Sequence, residues 1–270
     1  MVRLHSNLRY GMKSYWKYFF TYETRLPDGI GFGLFRPWHF LWLAVILAAI
    51  TLGLIWYRKC LDKGRKYLEY VAAFSLVGWM IIRALYIYLI GENFLYELPL
   101  HLCSMAGILC VLHCVFHWKW LGQVLYTLCL PGAVLALLFP DWSFYPAIHF
   151  ITVEAFMFHM GIVMYVTFQL CSGKIVPDLH KIWQVLLFLV LVVTPVYFFD
   201  RKFDVNYMFV NWPSAGSPLE WMAGFMGNPG YLIGYGGLTV SCVLLMDLGY
   251  WMVLRLWKKI LHGHLFPELR

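Results

Sequence analysis

The sequence predicts an all-α membrane protein: a seven-transmembrane-helix bundle with its N-terminus outside and its C-terminus inside. Three observations predict it. Of the 270 residues, 61% are hydrophobic and 13% charged, where a soluble domain carries about 25% charged residues. The apolar residues gather into seven stretches, 38–57, 67–89, 97–117, 119–138, 147–171, 179–199 and 230–256, each close to the ~20 residues that cross a bilayer as a helix. The basic residues collect at the edges of these stretches. Long continuous runs exclude a transmembrane barrel, whose strands are short and alternating. Helices are then the remaining way to satisfy backbone hydrogen bonds in lipid.

Taken in order, residues 1–37 form an N-terminal interfacial segment. They lack the apolar core of a signal peptide. Tyr15, Trp16, Phe19 and Phe20, interleaved with Lys13 and Lys17, fit a short helix lying at the membrane surface; a disordered tail fits equally well. Residues 38–260 make the transmembrane domain. The first stretch closes on Arg58, Lys59, Lys63, Arg65 and Lys66, and the last on Arg255, Lys258 and Lys259. Short basic loops stay inside, which sets the orientation, although Arg25 and Arg36 before the first stretch pull the other way. The second stretch runs to a turn holding Glu92 and Glu97. The fourth ends in a loop, 139–146, with two prolines and Asp141. Residues 200–229 are rich in Asn, Pro, Gly and Trp. In this orientation these longer connections all lie outside, so a site built from loops is expected there. Residues 261–270 are a C-terminal tail. The net charge of +7 belongs to these membrane edges, where it meets anionic headgroups, and no nucleic acid is expected as a partner.

An ionisable residue inside a spanning stretch is costly and marks a site by default. Arg83 and Glu154 fall at matched depth, as a packing ion pair or as an anchor for a headgroup or carboxylate. Leu98-Pro99-Leu100-His101-Leu102-Cys103-Ser104 opens the third stretch. A thiolate is a good nucleophile and a nearby histidine can act as its base. On a regular helix His101 and Cys103 point apart, so the base must come from elsewhere, His159 first and His149 second. The plain alternative is a small buried cysteine packing as a hydrophobe. Cys110, His113, Cys114 and His117 form one helical stripe, read as an interfacial polar stripe rather than a zinc site, because one helix cannot wrap four ligands around an ion. Asp141 follows Pro140 as a turn residue or as a group that orients a histidine. Asp247 stands alone in the last stretch. No nucleotide, dinucleotide, zinc-protease or serine-hydrolase motif is present, and no metal or cofactor is expected.

The ordered set Leu34-Phe35-Arg36-Pro37-Trp38-His39, Leu98-Pro99-Leu100-His101-Leu102-Cys103, Pro131-Gly132-Ala133, Leu137-Leu138-Phe139-Pro140-Asp141, His159 and Asn206-Tyr207-Met208 resembles the YwaF-like family of integral membrane proteins, which includes transmembrane protein 164. The resemblance spans residues 34 to about 240. It implies a membrane acyltransferase acting on phospholipids, with Cys103 as acyl-accepting thiol and His159 as its base. The expected function is therefore acyl transfer on a membrane phospholipid in a bacterial plasma membrane, with Arg83, Asn206 or Tyr207 steadying the oxyanion or headgroup. A transporter or lipid-binding protein without covalent chemistry is the second reading. In that case Arg83, Glu154 and Asp247 would serve substrate or proton movement. Seven spans alone would also fit a receptor or scaffold.

Overall fold

The computed structural model describes residues 16–214 and 217–265, with the side chains other than those of Tyr96 and residues 257–265. Tyr15 and Lys13 of the predicted interfacial helix, the side chains of Lys258 and Lys259, and residues 266–270 of the predicted tail lie outside the described residues. Every regular element among the described residues is helical. The main ones are α1 (Pro37–Lys59), α2 (Asp62–Ile90), α3 (Leu102–Phe116), α4 (Lys119–Leu138), α5 (Phe150–Cys171), α6 (Ile182–Phe203), α7 (Pro218–Met226) and α8 (Tyr231–Leu265). Six of these are long and apolar enough to cross a membrane: α1, α2, α4, α5, α6 with the turn before it, and α8.

The third predicted span, 97–117, takes a different form. Phe94–Glu97 is a 3-10 turn, and the α-helix begins only at Leu102. Pro99 removes an N–H and biases the residue before it away from helix. What remains is a 15-residue apolar helix about 22 Å long, short of the ~30 Å hydrocarbon core. The connection 200–229 is also more ordered than its composition suggests. α6 continues to Phe203, Tyr207–Phe209 makes a 3-10 turn, and Ser217 caps α7 through its side chain, with Pro218 in the first turn.

The chain divides into two compact units, with boundaries after residues 116, 128 and 173. The first unit holds α1, α2, α3, α5 and the second part of α4. Its axis is α5, against which α1, α2, α3 and α4 pack. α5 buries most of its length and α1 very little. Large apolar side chains such as Val45, Leu52 and Leu85 face outward, as expected where the surrounding solvent is lipid. Gly161 lets α5 close on α2: a Cβ there would lie 2.8 Å from Leu76 Cδ2. At one end of this unit Tyr57 stacks on Phe168, centroids 4.5 Å apart, and donates to the buried Glu69 at 2.6 Å. In the second unit, built on the first part of α4 with α6, α7 and α8, Gln123 donates to both carboxylate oxygens of the buried Asp247 at 3.0 Å and accepts from Asp178 N.

Candidate functional site

The chemistry-bearing side chains converge at the end of the first unit where α1 and α5 begin. The backbone there is strapped down. His39, fully buried, accepts Phe35 N–H at 3.1 Å through Nδ1 and binds the Leu137 carbonyl at 3.0 Å through Nε2. It thereby ties the start of α1 to the end of α4. Phe32 N and Gly33 N donate to the carbonyls of Tyr145 and Ser143 at 3.0 Å. Gly31 lies so close to this loop that a Cβ would come within 2.6 Å of Phe144 Cα. Trp42 Nε1 donates to Ala147 O, and Thr152 Oγ1 to Pro146 O. The loop carrying Asp141 and Trp142 is thus held on three sides.

The described part of the N-terminal segment packs over the same end. Phe150 N donates to Phe19 O, Tyr86 hydroxyl to Phe20 O, and Arg25 pairs with Glu92 at 3.0 Å. His149 is the cap of α5. Its Nδ1 accepts Ile151 N–H at 3.1 Å, so Nε2 carries the proton and donates to Thr21 O at 2.9 Å. Both ring nitrogens of His149 therefore serve the fold, which leaves no lone pair for a thiol.

His159 differs. It is buried about two and a half turns into α5, its Nδ1 2.7 Å from the Ala155 carbonyl. A carbonyl can only accept, so Nδ1 carries the proton and Nε2 keeps a lone pair. Trp142 stacks on the ring, centroids 5.2 Å apart and planes 21° apart. Cys103 opens α3 in the same unit. Asp141 and Arg83 both lie within electrostatic range of Cys103, His159 and His101, which places the three around one charged neighbourhood. His101 precedes the first residue of α3, in the irregular turn, so the helical angle between it and Cys103 does not apply.

Arg83 and Glu154 do meet, at 3.0 Å. The guanidinium also makes a two-bond contact with Glu97, Nε at 2.7 Å and Nη2 at 3.3 Å. One arginine is shared by two carboxylates, so the group clamps α2, the Phe94–Glu97 turn and α5 together. The sequence places Glu97 at the turn after the second stretch but gives it no partner; the 3-10 turn Phe94–Glu97 brings it to Arg83.

Asn206 and Tyr207 belong to the second unit. The Asn206 carboxamide accepts from Asn211 N and Trp212 N and donates to Trp212 O. Its polar atoms are spent on its own loop, and Tyr207 is buried beside Phe199. The Cys110–His113–Cys114 stripe lies buried rather than at an interface, with His113 Nδ1 2.8 Å from the Tyr165 hydroxyl. Among the described residues no group of three or more His, Cys, Asp or Glu is placed to hold a metal ion.

The residue that sequence reasoning missed is Trp142. Its indole N–H is buried and meets no acceptor in the protein, an unusual state for a buried donor. With aromatic residues at 19% of the chain, nothing in composition singles it out.

Six helices long and apolar enough to cross a bilayer define an integral membrane protein, and one of its units holds the half-buried Cys103, the buried His159 and the orphan Trp142 donor. The chain belongs to the TMEM164 family, whose model matches residues 34–247. No curated protein and no solved structure matches it.

Proposed function

We propose that this protein is a membrane acyltransferase that moves an acyl chain from a phospholipid ester through Cys103, with His159 as the base. The observation that carries the reading is the His159 hydrogen bond to Ala155 O, which leaves Nε2 as the basic nitrogen in the unit that also holds the Cys103 thiol. His159 Nε2 takes the Cys103 proton, and the thiolate adds to the ester carbonyl. The oxyanion collapses to a thioester at Cys103, and the leaving lysolipid alkoxide recovers the proton from His159. A lipid hydroxyl, deprotonated by the same nitrogen, then attacks the thioester and restores the thiol. The Trp142 indole N–H supplies a donor for the oxyanion. Such donors are worth a large share of the rate because they are fixed before charge develops. Arg83 and Glu154 hold the helices that carry these groups, and Asp141 orients and polarises the site.

The clustered basic residues after α1 support an orientation with the N-terminus outside. The site then opens to the outer leaflet of a plasma membrane, taken to be bacterial. The test is intact-protein mass spectrometry of wild type and Cys103→Ser after incubation with defined phospholipids. A hydroxylamine-sensitive acyl adduct on wild type alone is the expected result. No adduct and unchanged lipids in both samples would shift the reading to transport or lipid binding, for which the Arg83 clamp and the π-helical stretch Leu125–Cys129 before Pro131 are the supporting features.

A further inference from the structure

In the second unit, Asp200 sits in the last turn of α6 with no exposed surface, and neither carboxylate oxygen has a hydrogen-bond partner in the protein. The Tyr207 backbone N–H lies on the side of this carboxylate. The neighbouring cations are turned elsewhere. Arg201 Nη1 donates to Asn211 Oδ1 at 3.3 Å, and Lys202 Nζ lies over the Phe203 ring at 5.3 Å. A buried carboxylate without a partner is costly, and buried charges in proteins are paired or ligate ions.

We propose that Asp200 is the charged ligand of a site for a small monovalent cation of the sodium or potassium class, formed where the loop 204–212 folds back over the C-terminal end of α6. Three observations support that class of ligand. The site lies at the negative end of a helix dipole, which adds to the attraction of the carboxylate. A hydroxyl oxygen is near: Tyr231, whose hydroxyl donates to Phe209 O at 2.7 Å, has Asp200 within electrostatic range. Helix ends and irregular backbone carbonyls of this kind ligate sodium in transporters. A single carboxylate matches one positive charge, whereas calcium takes several charged oxygens.

The loop is built to hold this position. Asn211 donates to Asp200 O and Val205 O, and Asn228 donates to Asn211 O at 2.8 Å. Met208 and Phe209 are consecutive left-handed residues, φ 52° and 57°, a conformation that persists only where its surroundings fix it. A cation between Asp200 and the loop offsets that strain and locks the loop to α6. This inference does not depend on acyl transfer.

The experiment is thermal unfolding of the full chain in nanodiscs, followed by tryptophan fluorescence at constant ionic strength, with NaCl or KCl replacing N-methylglucamine chloride. Wild type should show a saturable rise of several degrees, since a ligand that binds only the folded state stabilises it. Asp200→Asn should lose the rise, and Asp204→Asn, in the same loop, should keep it. Identical unfolding in all three salts, or a rise that persists in Asp200→Asn, would overturn the proposal. If Asp200→Asn does not fold, equilibrium binding of radioactive sodium and rubidium to wild type decides: saturable binding near one per chain supports the site, and its absence rejects it.

Discussion

At His159 one backbone bond chooses the tautomer, and that choice separates a base from a structural histidine. His39 and His149 have both ring nitrogens engaged; His159 has its Nδ1 committed to Ala155 O. The sequence ranks His159 ahead of His149 as the base, and only their partners supply the physical reason. Trp142 can be tested in the same terms. Trp142→Phe keeps an aromatic face for His159 and removes only the N–H, so thioester formation at Cys103 should slow by about 10²-fold while alkylation of the thiol is unchanged. Equal acylation rates in variant and wild type would remove the indole from the chemistry. Glu23 offers a second residue-scale test, outside the spans. Burial first, then the nearby Glu97 charge, raise its carboxyl above the usual range, while its Tyr145 hydrogen bond and Arg83 oppose them. A group whose folded-state affinity for a proton is raised favours folding at low pH, and this contribution is lost as pH rises through the folded value. Glu23→Gln should therefore unfold at the wild-type temperature near pH 4 and above it near pH 7. Parallel curves across that range would contradict the assignment.

Elements were legible in the sequence wherever one period and one solvent ruled. The first, second, fourth, fifth and sixth predicted stretches coincide with α1, α2, α4, α5 and α6 to within a few residues, because apolar length is what lipid demands of a span. The third failed because hydropathy is blind to Pro99, which halts the helix N-terminally and frees Glu97 to reach Arg83. Glu69 and Asp200 also escaped notice as buried groups: each lies near a stretch end, where sequence alone reads it as solvated. The matching segment around Arg36-Pro37-Trp38-His39 acquires a physical reason only in the structure, since Pro37 starts α1 and His39 staples it to α4. The strap of residues 30–33 against 143–145 is the element that aligns Trp142, so it is expected to matter for activity as well as stability. Gly31→Ala would drive a Cβ into the Phe144 backbone. Backbone cannot yield as a side-chain tip does, so the variant should lose about 1–3 kcal/mol of stability and most of its acyl-transfer rate. Pulsed proteolysis in detergent with a thioester assay reads both. Full activity in a folded Gly31→Ala protein would show that the strap does not position the site.

For the whole molecule, the two ends of the first unit differ in chemistry. One end carries Cys103, His159, Trp142 and the Arg83 clamp beneath the packed N-terminal segment. The other carries the Tyr57–Glu69 pair, Cys60 just past α1 and Cys171 at the end of α5, joined by the Tyr57–Phe168 stack. Orientation in the bilayer decides which leaflet reaches the thiol, and charge is the only guide to it. The cluster from Arg58 to Lys66 lies in a short loop next to two spans, the position where basic residues weigh most. Arg25 and Arg36 oppose it, but Arg25 is already paired with Glu92. The cluster should win, placing Cys60 and Cys171 in the cytoplasm and the Cys103 end outside. Variants with a single cysteine, at native Cys60, at native Cys171 or introduced by Asp28→Cys, separate the alternatives when intact cells meet a membrane-impermeant maleimide. Asp28→Cys should label at once, and the other two only after permeabilisation. The reverse pattern would put the site on the inner leaflet, where an acyl chain would be drawn from cytoplasmic-face lipids and the basic N-terminal segment would have set the topology.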